Sequence, residues 1–211
     1  MSADLISLSL SAKDVKAFED LAKLVPKAAE NAQRRAINKT LGWLRTHIGR
    51  AVSKEEKIAA TAVRQRLRSY PIQGDSKQGK LWFGMNPIEA SRIGRPRQSK
   101  AGVSVAGRRY RGAFYKTVYG GKADIWIRKA SKHFRADDYP DSTISTGGGP
   151  RSGWIAENGD RFPLVKAKVS LEDVEAQFFT WMKKADERLL EVFKQEMNFE
   201  LQKYLKGTAR V

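Results

Sequence analysis

Cysteine is absent. That excludes disulfides, thiol catalysis and cysteinyl zinc sites, and it fits a reducing compartment. Histidine is almost absent: His47 and His133 are the only two, too few to build a site from several imidazoles. No run approaches the roughly 20 apolar residues that a membrane-spanning helix needs, so no membrane partner is expected. Met1 to Leu10 has neither a basic start nor a long apolar core, and no secretory signal is expected there. Carboxylates are scarce over half the chain. From residue 27 to residue 135 there are 26 Lys and Arg against 6 Asp and Glu, a net of +20, whereas the whole chain carries +17. Segregation of this kind speaks of phosphate or an acidic protein surface as partner more than it speaks of fold. With 41% hydrophobic residues and five Trp, the chain can bury a core.

The patterning predicts an α+β fold: N-terminal helices and a long C-terminal helix packed on a small, mostly antiparallel sheet, with one long flexible loop. We expect a single domain over residues 1–211, mainly helical over 1–70, a sheet region over 80–130, the flexible loop over 132–160, a strand over 162–169 and a helix over 171–205. Asp4 to Leu10 alternates as a strand does, and Ser11 caps a helix from Ala12 to Leu24. Pro26 opens a longer helix to about residue 52. Its apolar face runs through Val25, Ala29, Ala32, Ala36, Thr40, Leu44, His47 or Ile48, and Ala51. A helix over Ala59–Arg68 should stop before Tyr70-Pro71.

Strands are then expected at Lys80–Met85 and Gly102–Ala106. A hairpin should join Ala113–Tyr119 to Ala123–Arg128 across Gly120-Gly121. Between the first two strands, Ile93 to Lys100 reads as an exposed basic loop. Ser170 and Asp173 cap the last helix, whose stripe is Val174, Phe178, Trp181, Ala185, Leu189, Val192, Met197 and Leu201. At 1.5 Å per residue it would extend roughly 50 Å, more than a small sheet covers. Phe178, Trp181, Leu189, Val192, Met197 and Leu201 are therefore candidates for a subunit interface.

Chemistry is hard to find in the sequence. His47 reads as a packed helix histidine. His133 with Asp137, Asp138 and Asp141 could be written as a cation site, but the spacing fits no twelve-residue calcium loop. Gly79-Lys80 and Gly121-Lys122 lack the Ser or Thr of a phosphate loop, and Gly147-Gly148-Gly149 lacks its Lys. No catalytic, cofactor or metal residue is assigned, and a non-enzymatic protein is expected. The candidate contacts for DNA or an acidic partner are Arg64, Arg66, Arg68, Arg92, Arg95, Arg97, Lys100, Arg108, Arg109 and Arg111, with Tyr110 and Phe114 interleaved. No base-reading motif accompanies them.

Taken in order, these parts resemble the prophage minor tail protein Z family, tail completion proteins of lambda-like long-tailed phages. Arg35-Ala36-Ile37-Asn38-Lys39-Thr40 is similar to that family's Ala-Ile-Asn-Arg/Lys element. A basic Val63-Arg64 to Arg68 segment follows, then Gly107-Arg108-Arg109 and Gly112-Ala113-Phe114, similar to its Gly-Ala-Phe strand entry. Arg161-Phe162-Pro163-Leu164 is similar to its Arg-Tyr-Pro-Ile strand, and a long charged helix closes both. The chain departs from the pattern in thinning the dense basic run to scattered residues between Arg92 and Arg111, and in a longer excursion from Lys132 to Asn158.

The resemblance implies a virion protein, assembled in the host cytoplasm, at the head-proximal end of the tail beside the tail terminator. It would complete the tail for head–tail joining, working as a homo-oligomeric ring, commonly six-fold, around the DNA channel. Phage DNA, contacted without sequence preference, is a further partner. The rival readings are a free DNA-binding protein and an enzyme using the Asp137–Asp141 loop.

Overall fold

A computed structural model describes residues 4–8, 23, 25–74, 76–118, 121–139, 144–145 and 163–207. In chain order the elements are β1 (Asp4–Leu8), α1 (Pro26–Glu56), α2 (Ala60–Arg66), β2 (Leu67–Tyr70), β3 (Gly79–Phe83), β4 (Ile88–Glu89), β5 (Arg97–Ser99), β6 (Gly102–Val105) and β7 (Arg108–Arg111). Then follow β8 (Phe114–Lys116), β9 (Asp124–Arg128), β10 (Ile144–Ser145), β11 (Leu164–Lys166), β12 (Lys168–Val169) and α3 (Glu175–Leu205). The class is α+β, and among the described residues every strand pairing is antiparallel. The expected helix over 12–24 and the Gly120-Gly121 turn fall wholly or partly outside the described residues, as does most of the 132–160 loop. Two residues of that loop, Ile144 and Ser145, pair with Val165 and Leu164.

The chain divides into two compact units built from alternating segments. A helical unit comprises Ser2–Ala51, Arg64–Gly84 and Glu175–Val211, and a sheet unit comprises Val52–Val63 and Met85–Val174.

In the helical unit, strands β1, β3 and β2 form one sheet with β3 central. Helix α1 buries Ala28, Ala29, Ala32, Ala36, Ile37, Leu41, Leu44 and Ile48, the alanine-rich face its spacing predicts. Small side chains allow close approach, and the sheet uses it at Gly79. A Cβ there would lie 2.7 Å from both Ile37 and Leu41. Asn38 adds a polar tie, its side-chain oxygen accepting a hydrogen bond from the Ile72 N–H at 2.8 Å. Phe83 of β3 stacks on Phe178 of α3 with ring centroids 5.8 Å apart. Burying each such ring stabilises the fold by about 2–3 kcal/mol.

The predicted helix over 59–68 ends two residues early. Leu67 to Tyr70 instead pairs with Phe83 to Lys80, placing Leu67 in the core and Arg68 over the Trp82 ring. Ladder hydrogen bonds and the burial of Leu67 outweigh the helical preference of a short segment already approaching Pro71.

Helices α1 and α3 run antiparallel, locked by charge. Glu196 and Glu200, only 5% and 2% exposed, interrupt the apolar stripe of α3. Arg35 meets both carboxylates at 2.5 Å, and Lys39 meets Glu196 at the same distance. Burial works to raise the Glu196 carboxyl, but the hydrogen bonds from Lys39 and Arg35 outweigh it and hold it below the ordinary range.

The sheet unit holds two larger sheets and a short pair. One sheet runs β10-β11-β9-β8, with Ile125, Trp126, Ile127, Leu164 and Val165 buried. The single strand expected over 162–169 is broken at Ala167. Leu164–Lys166 pairs with β9, whereas Lys168–Val169 pairs with β4. Ala167 donates to the Ile125 carbonyl and accepts from Ala90 N–H, both at 2.9 Å, so its backbone stays satisfied through the switch. Asp124, nearly buried, accepts from its own neighbour Ile125 N–H and pairs with Lys166 at 3.0 Å. Ser170 does precede the last helix, accepting from Glu172 N–H at 3.2 Å, but a 3-10 turn over Glu172–Val174 comes before α3.

Removing Arg35 tests the charge lock. Arg35→Ala leaves Glu196 to Lys39 and Glu200 to the longer 3.5 Å contact with Lys203, and should cost about 1.5–3 kcal/mol, read as a lower denaturation midpoint. Because Glu196 is depressed in the fold, its stabilisation is complete above its ordinary value of 4.5 and is lost as pH falls through the lower folded value. The acid-unfolding midpoint of Arg35→Ala should therefore lie at higher pH than that of the native chain.

Candidate anion-binding surface

The end of the segment expected as a basic loop is the edge strand of a three-stranded meander, β5-β6-β7, whose central strand falls where Gly102–Ala106 is expected as a strand. This corrects the reading of Ile93 to Lys100, because Arg97 to Ser99 is an edge strand paired with Ser104 to Gly102. Two tight turns make the structure possible. Lys100-Ala101 joins β5 to β6, and Ala106-Gly107 joins β6 to β7 with φ of 49° and 80°, the left-handed pair that a two-residue hairpin requires. Gly102 fits because its Cα faces the Tyr110 carbonyl so closely that any Cβ would collide with that oxygen. Neither turn carries the Asn-Gly or Asp-Gly dipeptide that signals such hairpins in a sequence.

Strand alternation then sorts the basic residues. Register aligns Arg97, Ser104 and Arg109 in one cross-strand row, and Ser99, Gly102 and Arg111 in the next. Those rows form the outer face, on which Arg97, Arg109 and Arg111 are exposed. On the other face Val103, Val105 and Tyr110 are buried. Arg108 shares that inner side, donating to the Glu56 carbonyl at 2.9 Å and facing its carboxylate at 3.7 Å. It ties the meander to the end of α1 and is structural. Arg92 pairs with Glu89 at 3.2 Å, while Arg95 and Lys100 are exposed. Arg64, Arg66 and Arg68 belong to the helical unit. The ten basic candidates thus do not form one set.

Beside β7 lies a pocket of about 240 Å³ lined by Arg109, Arg111, Lys132, His133, Arg135, Asp138 and Tyr139. Its walls combine the outer face of β7 with the chain that follows β9. The two segments close on Gly112, where a Cβ would stand 2.9 Å from the His133 ring. None of Arg109, Arg111, Lys132 and Arg135 is ion-paired with another described residue. The sequence pointed to Arg109 and Arg111, and to His133 only beside the acidic residues that follow it, but missed Lys132 and Arg135; all three are brought in from more than twenty residues away. Tyr139 lies 3% exposed against Tyr110 and Phe134, with ring centroids 5.9 Å and 5.4 Å away. Burial, helped by neighbouring Tyr110 and Asp138, raises its hydroxyl well above the ordinary range, so it stays protonated.

The subunit-interface candidates need correction. Phe178, Leu189, Val192 and Met197 are 1–5% exposed, committed to the chain's own core and closed to a second subunit. Trp181 is half-buried in a three-ring cluster, 4.9 Å from His47 and 5.5 Å from Trp43, which itself lies 4.6 Å from His47. Burial, then the charges of Arg50, Arg188 and Lys184, lowers the His47 pKa, consistent with a packed neutral ring. Leu201 alone of the six is open, at 38%. It is joined on α3 by exposed Phe179, Phe199, Tyr204 and Leu205. Among the described residues no three His, Asp or Glu side chains are grouped to hold a metal, and no helix is long and apolar enough to cross a membrane.

No family model, curated protein or solved structure matches this chain.

The Tyr139 hydroxyl is buried with no hydrogen-bond partner among the described residues. An unsatisfied donor costs about 1–3 kcal/mol, so Tyr139→Phe should raise the thermal midpoint slightly instead of lowering it. Calorimetry on the two proteins decides the sign.

Proposed function

We propose that this protein is a non-enzymatic structural component of a long-tailed phage or prophage virion, a tail completion protein acting at the head-proximal end of the tail in head–tail joining. The observation that carries the reading is where the resembling residues lie. In Arg35-Ala36-Ile37-Asn38-Lys39-Thr40, Ala36, Ile37 and Thr40 are buried against the core, Asn38 caps the Ile72 N–H, and Arg35 and Lys39 bind the buried carboxylates. Gly112 of Gly112-Ala113-Phe114 adopts φ of +70°, and Ala113 is buried. Leu164 starts a central strand of its sheet. A likeness confined to solvent-facing charge would carry little weight. One that falls on fold-determining positions supports a common architecture.

Assembly into a ring beside a tail terminator is part of this proposal. Its self-contact is assigned to the exposed apolar end of α3, Phe199, Leu201, Tyr204 and Leu205, since the more N-terminal stripe is already used. Deleting the gene from the phage or prophage that encodes it should leave filled heads and separate tails, counted by electron microscopy. Joined, infectious particles at normal yield would sink the reading and favour a free DNA-binding protein.

A further inference from the structure

We infer that the outer face of β5-β6-β7 and the adjoining Arg109–Tyr139 pocket form a track for the phosphodiester backbone of duplex DNA. The track is held through phosphates without reading bases. Three observations carry it.

Charge comes first: Arg97, Arg109, Arg111, Lys132 and Arg135 are all exposed, and among the described residues Asp138 is the single carboxylate lining the pocket. Like charges gathered this closely destabilise a chain unless a polyanion neutralises them.

Spacing comes second. Arg109 and Arg111 stand two residues apart on one face of a strand, roughly 7 Å, and Arg97 lies two strands across, roughly 10 Å. The guanidinium forks are held on a hydrogen-bonded scaffold, so little conformational entropy is lost on contact.

The third observation separates DNA from an acidic protein. The two outer rows contain Arg97, Ser99, Gly102, Ser104, Arg109 and Arg111, with no apolar side chain. Protein interfaces depend on a desolvated apolar or aromatic centre, which this face does not offer. Phosphate contacts are made by Arg, Lys, Ser and backbone N–H groups, which it does offer.

The choice of DNA as the duplex rests on the proposed place at the tail channel, but the track is tested without any particle. The full chain is titrated with a labelled 20-base-pair DNA duplex over a salt series, beside the double variant Arg111→Gln/Lys132→Gln. A control, Arg34→Gln/Lys77→Gln, removes two cations from the helical unit. The native chain and control should bind alike. The track variant should bind at least tenfold more weakly at low salt, with a salt slope smaller by about two, one for each lost phosphate contact. Circular dichroism melting confirms that all three are folded, as expected for exposed side chains changed to Gln.

Unchanged binding by the track variant, or an equal loss in the control, would overturn the proposal. So would failure of the native chain to bind the duplex, or polyglutamate of equal charge binding as tightly with the same loss. None of these results would alter the outcome of the gene deletion, so the track and the virion role stand or fall separately.

Discussion

The helical unit depends on two carboxylates placed where carboxylates are rarely found. Glu196 and Glu200 sit one helical turn apart in a stripe otherwise made of Leu189, Val192, Phe193 and Met197. Buried anions without partners would unfold the helix pair, so α3 has to present them where Arg35 and Lys39 can reach. That requirement fixes the axial register of two 31-residue helices. Trp43 and His47 of α1 add a second fixed point, meeting Trp181 of α3 at ring-centroid distances of 5.5 Å and 4.9 Å. The same helices also set the position of Phe178 against Phe83, and through β3 the order of the N-terminal sheet.

A chain with so few acidic residues in its basic block uses several of them as internal joints. Glu56 receives Arg108 and fastens β7 to the end of α1. Glu89 receives Arg92 beside the β4–β12 pair, and Asp124 receives Lys166 between β9 and β11. These pairs are partly shielded from solvent and join segments distant in sequence, apart from the local Glu89–Arg92 contact. The remaining cations of the meander and pocket are left facing water. Stability therefore does not draw on the charge that makes the surface unusual, and the two roles of arginine in this protein separate residue by residue.

Much of the fold was legible because helical periodicity is robust over long stretches. The alanine face of α1 and the stripe of α3 were both readable as one side of a helix. What the stripe could not reveal was its destination. The same spacing serves a core and a subunit interface, and Phe178, Leu189, Val192 and Met197 proved to be core. Glu196 and Glu200 on that stripe were the available signal, since paired carboxylates amid apolar positions imply a cationic partner within the fold. Short strands were less legible. Leu67–Tyr70 follows α2 without a connecting loop, and Arg97–Ser99 has no buried residue to give it an alternating pattern. Its strand character comes wholly from pairing with β6, a non-local cause that local propensity does not register.

That last misreading bears on function. A flexible loop carrying Arg97 would lose backbone freedom on meeting a partner, about 1–2 kcal/mol for each residue fixed. A meander has lost it already during folding. Its outer guanidiniums also hold fixed spacings, so a ligand with regularly placed anionic groups gains over one whose charges are scattered. Gly102 is where this organisation is most exposed to change, because the strand's approach to the Tyr110 carbonyl leaves no room for a side chain. The fixed spacing of the outer arginines therefore resides in the backbone of β6 as much as in the strands that flank it.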